Sequence, residues 1–266
     1  MDAPRIGRAV EPSVAHVFVA DLDEPVAEDA DLHHLTRVLR VRAGEALTVG
    51  DGQGRWRRCR FDGRRGLVVE GPVRSVPAPQ PRVTVGFSVI KGDRTEWALQ
   101  KLVEVGVDRV VLLTTARTVV RWEGDKLARE QVRLRRIARE AAMQSRRAWL
   151  ADVAGPMPFD QALASSVTRD RPEATDDPTG MSTGRERVAV LPAGVALAHP
   201  GGSPIGPAHQ EILVGPEGGW APEELALGLP IVGLGPTNLR TETAAVVAGT
   251  LATALRAGLV RPSLPV

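Results

Sequence analysis

From Ile212 to Arg256 the chain uses one device twice: an apolar run is delivered into a glycine-proline loop and then into a helix-forming segment. ILVGPEGGWAPEEL is the first copy and IVGLGPTNLRTETAAVVAGTLATALR the second. Strand, glycine turn and helix in that order are the grammar of an α/β sheet, whose ligands sit where the strands end. Two such loops so close together in sequence predict one composite pocket.

The residue types in the loops narrow its ligand. Gly215-Pro216-Glu217-Gly218-Gly219 precedes a helix expected to begin near Pro222, a favoured first helical residue, with Glu223 and Glu224 in its first turn. Glycines let backbone approach a ligand closely. A phosphate loop is excluded, because no Lys-Ser or Lys-Thr pair follows the glycines and the acidic residues would repel phosphate. The loop suits a neutral or cationic ligand. In the second copy, Leu234 to Thr243, Thr241 is the expected N-cap. Ala244, Ala245, Ala248, Gly249, Ala252 and Ala254 then leave little bulk across more than one helix face, which reflects either close packing or simple alanine enrichment.

Composition sets outer limits. The 266 residues are enough for two domains, and the single Cys59 rules out an internal disulfide framework and reads as a small core filler. His16, His33, His34, His199 and His209 show no metal-ligand spacing, so no metal is expected. No apolar run of membrane-spanning length and no signal-peptide core are found, which predicts a cytoplasmic protein with no membrane partner. Net charge is +2, yet lysine occurs only at 91, 101 and 126. Arginine in place of lysine reflects either codon bias or recognition of phosphates and bases by the planar guanidinium.

Upstream, Val14 to about Val76 reads as a small β-rich unit: HVFVA, then ALTVG-DGQG-RWRRCRF as a hairpin, with DLHHLTRVLRV between them as a helix burying Leu32, Leu35 and Leu39 and turning Arg37 and Arg40 to solvent. Period-two alternation puts Trp56, Arg58 and Arg60 on one face, either to meet nucleic acid or as a solvated face with Trp56 covering a barrel end. SVPAPQPR is a connector, which sets the expected units at 1–76 and 83–266, with 77–82 between them. VTVGFSVI, GDRTEWALQKLVEVG and DRVVLLT form a β-α-β unit, with Asp93 and Glu96 as a capping box and Gly106 ending the helix. Lys91 and Arg94 then lie at the carboxyl edge of its first strand. A long helix over about 125–147 buries Leu127, Leu134, Ile137, Ala138 and Ala141, leaves Arg129, Arg133, Arg136 and Arg139 elsewhere, and ends in Gln144, Ser145, Arg146 and Arg147. Residues 164–187 read as a mobile insertion, and RVAVLP as a strand ending at Leu191 and Pro192. HPGGSPIGP is expected as a further loop.

LVGPEGGWAPEEL and LGPTNLRTETAA together resemble the signature of the SPOUT (trefoil-knot) methyltransferases, and within them the family that methylates N3 of a uridine in 16S ribosomal RNA. HHLTRVLR and the DGQG hairpin are similar to that family's PUA-like barrel, and KGDRTEWALQKLVEVGVDRVVLL and REAAMQSRR to its first β-α-β unit and a helix end. The resemblance covers all but the insertion. It implies an α/β fold in which a PUA-like barrel precedes a SPOUT domain with a deep trefoil knot, S-adenosylmethionine as cofactor, 16S rRNA in the small subunit as partner, and a homodimer. By the same resemblance, cofactor falls to Leu191, Pro192, Val214, Gly215, Pro216, Glu217, Gly218, Gly219, Leu234, Gly235, Leu239 and Thr243, with Glu217 either touching it or bracing the loop. RNA falls to Arg37, Arg40, Arg58, Lys91, Arg94, Arg117, Gln144, Arg146 and Arg147. Arg240 and Glu242 are assigned to catalysis, as anion stabiliser and proton acceptor, or else to bracing the knot. Thr115-Ala116-Arg117 departs from the family in lacking an acidic residue before the arginine, and Asn238 stands where an apolar residue is commoner. A transfer-RNA methyltransferase and a non-catalytic assembly factor are the alternatives.

Overall fold

The computed structural model describes residues 13–169 and 191–261. Two sheets organise it. The first holds β1 (His16–Phe18), β2 (Ala46–Gly50), β3 (Arg55–Phe61) and β4 (Leu67–Ser75) in that order, β1 parallel to β2 and the rest antiparallel. The second is six-stranded and parallel throughout, in the order β10 (Ile231–Gly233), β8 (Val195–Pro204), β9 (Glu211–Val214), β5 (Thr84–Ser88), β6 (Arg109–Thr114) and β7 (Asp152–Pro158).

Side-chain alternation explains why this second sheet is covered on both faces. Val110 and Leu112 of β6, with Ile212 and Val214 of β9, enter one cluster with α2 (Arg94–Glu104), α3 (Gly124–Gln144) and α6 (Thr241–Arg256). Val111, Leu113 and Leu213 point the other way, into a cluster with Phe159, Ala162 and Leu163 of α4 (Phe159–Arg169) and with Trp220 before α5 (Pro222–Leu225). Ala244, Ala245, Ala248 and Ala252 of α6 lie inside the first cluster, and an added Cβ at Gly249 would come 2.6 Å from Leu102 and 2.8 Å from Val107. Close packing is therefore the reason for that helix's composition. Gly202 answers the same need in β8, since a Cβ there would overlap the carbonyl carbon of Val232 on β10.

The expected β-α-β unit is present, and Gly106 ends α2 at φ +94°. Other expectations need correction. Asp93 makes no side-chain cap, so the capping box does not form. The helix through Leu39 ends sooner: α1 (Asp29–His33) runs into one π-helical turn to Val38, Leu35 is buried, and Leu39 is exposed. Of the strand expected over RVAVLP, 187–190 lie outside the described residues and Leu191 and Pro192 are in no strand; HPGGSP, expected as a loop, instead continues β8 along β10 after VALA pairs with β9. Of the expected insertion, 164–169 completes α4, and 170–187 lies outside the described residues.

The two sheets are locked together. Arg139, which the helical spacing leaves off the buried stripe, forks onto Asp31 at 2.7 and 2.6 Å and donates to the Phe18 carbonyl at 2.9 Å. Trp56 is buried against Ala148, with Val76 and Trp149 alongside, so it seals the junction and offers no stacking face. A Cβ at Gly54 would meet the Trp149 ring at 2.6 Å, which fixes the second glycine of DGQG. Cys59 is buried, and burial pushes its thiol up to about 11, as suits an inert filler.

Candidate active site

Because β8, β9 and β10 are parallel neighbours, their carboxyl ends open side by side. A cavity of about 440 Å³ lies there. Val214, Gly215, Pro216, Glu217 and Gly219 line it from the first loop, and Leu234, Gly235 and Leu239 from the second. The two loops are tied directly, Thr241 Oγ1 donating to the Gly215 carbonyl at 3.1 Å. Arg240, in extended backbone, occupies the N-cap position expected for Thr241, which is the first helical residue.

Trp220 closes the floor. Its ring faces Gly215, where a Cβ would meet it at 3.2 Å, and its Nε1 donates to the Ala198 carbonyl at 3.0 Å. Glu224, one of the acids counted against phosphate, is turned inward and accepts from the Ala116 amide at 2.9 Å and the Ala221 amide at 2.7 Å. The loop after β6 is thus pinned to the first glycine loop by a backbone amide. Arg117 donates to the Gly218 carbonyl at 2.8 Å and braces the same loop. Glu217 is the acid left facing the cavity.

Several sequence assignments move. Leu191 and Pro192 precede β8 and so lie at its amino end, away from the cavity; Ala198, His199 and Pro200 take the expected place. RVAVLP and GVALAHP carry similar apolar runs ending in proline, and GVALAHP is the one whose described residues lead into the cavity. Gly218 and Thr243 are exposed and are not among the lining residues. His199, Trp220, Thr237 and Asn238 line the cavity and were missed, although the histidine of HPGG, polar after an apolar run, was a readable signal.

Among the residues expected to meet RNA, Arg37, Arg40, Arg58, Lys91 and Gln144 are exposed. Arg147 is a correction. It donates to the carbonyls of Val103 (3.0 Å) and Val107 (2.6 Å) and pairs with Asp108 at 3.2 Å, at the edge of the sheet opposite the cavity; burial holds its pKa below the usual arginine value. Arg256 binds the other oxygen of Asp108. Arg146 is half-buried and donates to the Ser13 carbonyl, so this pair of arginines stitches elements together.

The expected catalytic residues flank Thr241 at the start of α6, Arg240 as N-cap and Glu242 in the first turn. Arg240 is exposed at the cavity wall. Glu242 is 8% exposed and is not among the lining residues; its Oε1 lies 3.5 Å from Arg94, and its Oε2 is buried without a hydrogen-bond partner among the described residues. An unsatisfied buried acceptor costs about 1–3 kcal/mol, which argues for a task beyond structure.

Residues 77–253 match the RNA methyltransferase domain, and residues 27–70 the RNA methyltransferase PUA domain. A ribosomal RNA small subunit methyltransferase E from Mycobacterium bovis is 36% identical over 244 residues, 89% of this chain and 86% of the relative. The chain belongs to the RNA methyltransferase family. In this family context the architecture is a PUA-like N-terminal unit followed by a parallel-sheet, SPOUT-like methyltransferase unit. A probable rRNA-methyltransferase structure from Porphyromonas gingivalis has the same fold at a TM-score of 0.67 and 27% identity, covering 92% of this chain and 100% of that one. A ribosomal RNA small subunit methyltransferase E from Neisseria gonorrhoeae, solved bound to S-adenosyl methionine, shares the fold at 0.64 and 23%, covering 91% and 97%. None of the described helices is long and apolar enough to cross a membrane, and no cluster of metal-ligating side chains occurs among the described residues.

Proposed function

We propose that this RNA methyltransferase methylates N3 of a uridine in 16S ribosomal RNA with S-adenosylmethionine. The observation that carries the reading is a glycine-walled cavity with Arg240 in its wall, next to the start of α6, where Glu242 has a buried Oε2 with no hydrogen-bond partner among the described residues. The cavity suits the cofactor on chemistry. It offers backbone groups and apolar walls with no lysine in its lining; Glu217 supplies a carboxylate for the cationic part of a phosphate-free ligand, and Arg240 stands in the wall beside the second loop. S-adenosylmethionine, when bound, supplies a methyl group carried on a sulfonium.

The chain's own residues supply the rest. Uridine N3 bears a proton and is a poor nucleophile until that proton leaves. Glu242 Oε2 accepts it, and Arg240 stabilises the negative charge that develops on the uracil oxygens. Thr241, between them, holds the start of α6 to the first glycine loop and so fixes the backbone that carries both side chains.

Exposed Arg37, Arg40, Arg58, Lys91 and Gln144 form the RNA-facing set, with 1–76 gripping RNA, 77–82 as connector and 83–266 carrying the chemistry. The chain works as a cytoplasmic homodimer with its C-terminal segment threaded as a trefoil knot. A half-buried stripe on α6, Val246, Val247, Leu251 and Leu255, continues into exposed Leu259 and Val260 and supports the dimer. The test is incubation of purified protein and labelled S-adenosylmethionine with unmodified small subunits, then nucleoside analysis. Labelled 3-methyluridine is expected; label in a ribose, or none, rules the reading out.

A further inference from the structure

Arg94 sits between two carboxylates that come from the two loops of the cavity. Its Nη2 is 3.5 Å from Glu217 Oε1 and its Nη1 3.5 Å from Glu242 Oε1, while its Nε donates to the Lys91 carbonyl at 3.2 Å. Arg94 is the first residue of α2, where the helix dipole disfavours a cation, so its placement does not serve the helix. Both separations exceed the roughly 2.7–2.9 Å of a closed charge-assisted bond. The guanidinium is therefore shared between the two acids and closed onto neither.

The two acids differ in freedom. Glu217 lines the cavity with its side chain 51% exposed, whereas the Glu242 side chain is 10% exposed. We propose that Arg94 is a positioning residue that couples the occupancy of the cavity to the setting of Glu242. With a cationic ligand in the cavity Glu217 would turn toward it, and Arg94 would close onto Glu242 Oε1, fixing the carboxylate with Oε2 left to accept the uridine N3 proton. The inference rests on the reading of Glu242 as proton acceptor, and it assigns Arg94 inward, away from RNA phosphate.

The coupling has a sign. Arg94 competes with the cofactor for Glu217, so removing the guanidinium tightens cofactor binding while it slows methyl transfer. A residue that merely braced the site would weaken both, and a phosphate contact would raise KM for RNA alone.

The test measures S-adenosylmethionine affinity by calorimetry without RNA, and kcat and KM with small subunits, for Arg94→Met, Arg94→Lys, Glu217→Gln and the Arg94→Met/Glu217→Gln double variant, with circular dichroism to check folding. Arg94→Met is expected to bind cofactor about fivefold more tightly. Its kcat is expected to fall about tenfold with KM for RNA held, and Arg94→Lys to recover part of that loss. In the Glu217→Gln background the gain in affinity disappears. Affinity that falls together with kcat, affinity that does not move, or a rise in KM alone overturns the proposal. Glu242→Gln, assayed alongside, separates the two readings: wild-type kcat in that variant removes the proton acceptor, while the cofactor-affinity arm still judges Arg94 by itself.

Discussion

Arg139→Met strips the partner from a carboxylate that folding has taken out of water. Asp31 is 4% exposed and its two oxygens receive the Arg139 fork at 2.7 and 2.6 Å, and Glu28 lies 3.7 Å from the same guanidinium. Breaking one side of a buried pair costs about 3–5 kcal/mol, because the remaining charge stays desolvated. Arg139 keeps part of its surface wet, so the lower end, about 3 kcal/mol, is expected. The loss of the Phe18 contact is included in that figure. Urea unfolding followed by far-ultraviolet circular dichroism and by tryptophan fluorescence is the assay, since Trp56 and Trp149 report on the junction between the sheets. Arg139→Met with Asp31→Leu should recover most of the loss, because two apolar groups leave no orphaned charge. A single variant within about 0.5 kcal/mol of wild type, the level of an ordinary surface substitution, refutes the reasoning. So does a double variant worse than the single one.

Other expectations follow from individual groups. His16 is buried, and burial holds its pKa down at about 4 against 6.5, so the folded state binds the proton less well than the unfolded chain. Stability should be at its full value above pH 6.5 and fall by up to about 3 kcal/mol on acidification toward pH 4, a step that unfolding curves of His16→Gln should lack. Gly202→Ala should unseat β10 and the second loop, weakening S-adenosylmethionine binding about tenfold or more by calorimetry; unchanged affinity would show that β10 tolerates the overlap. Arg147→Ala should lower stability and leave the salt dependence of RNA binding unchanged, whereas Arg37→Ala with Arg40→Ala should flatten that slope by about two.

Local rules carried much of the architecture. The β-α-β unit, the glycine loops and Gly106 at the end of α2 follow from short-range pattern, because strand alternation, helix spacing and a left-handed glycine are set by neighbours in sequence. Residues whose meaning depends on distant partners were misplaced. Arg147 looks like an RNA contact until Val103, Val107 and Asp108 arrive from another element, and Trp56 looks like a stacking surface until Trp149 covers it. Leu191 was assigned by resemblance, whereas the residues of β8 that line the cavity, Ala198, His199 and Pro200, are placed by a strand whose pairing with β9 is long-range. The departure at Thr115-Ala116-Arg117 is answered by a backbone amide: Ala116 donates to Glu224, so the loop is held without a carboxylate of its own. Glu242 was named from resemblance. Its unpartnered oxygen, which gives the assignment physical content, is visible only in three dimensions.

One measurement bears most directly on the central claim: nucleoside analysis of small-subunit RNA after incubation with labelled S-adenosylmethionine and either the wild-type chain or Glu242→Gln, each shown to bind the cofactor. The account predicts labelled 3-methyluridine with the wild type and a rate at least about a hundredfold lower with the variant. Equal rates for the two, or a wild-type product methylated at any other position, would contradict it.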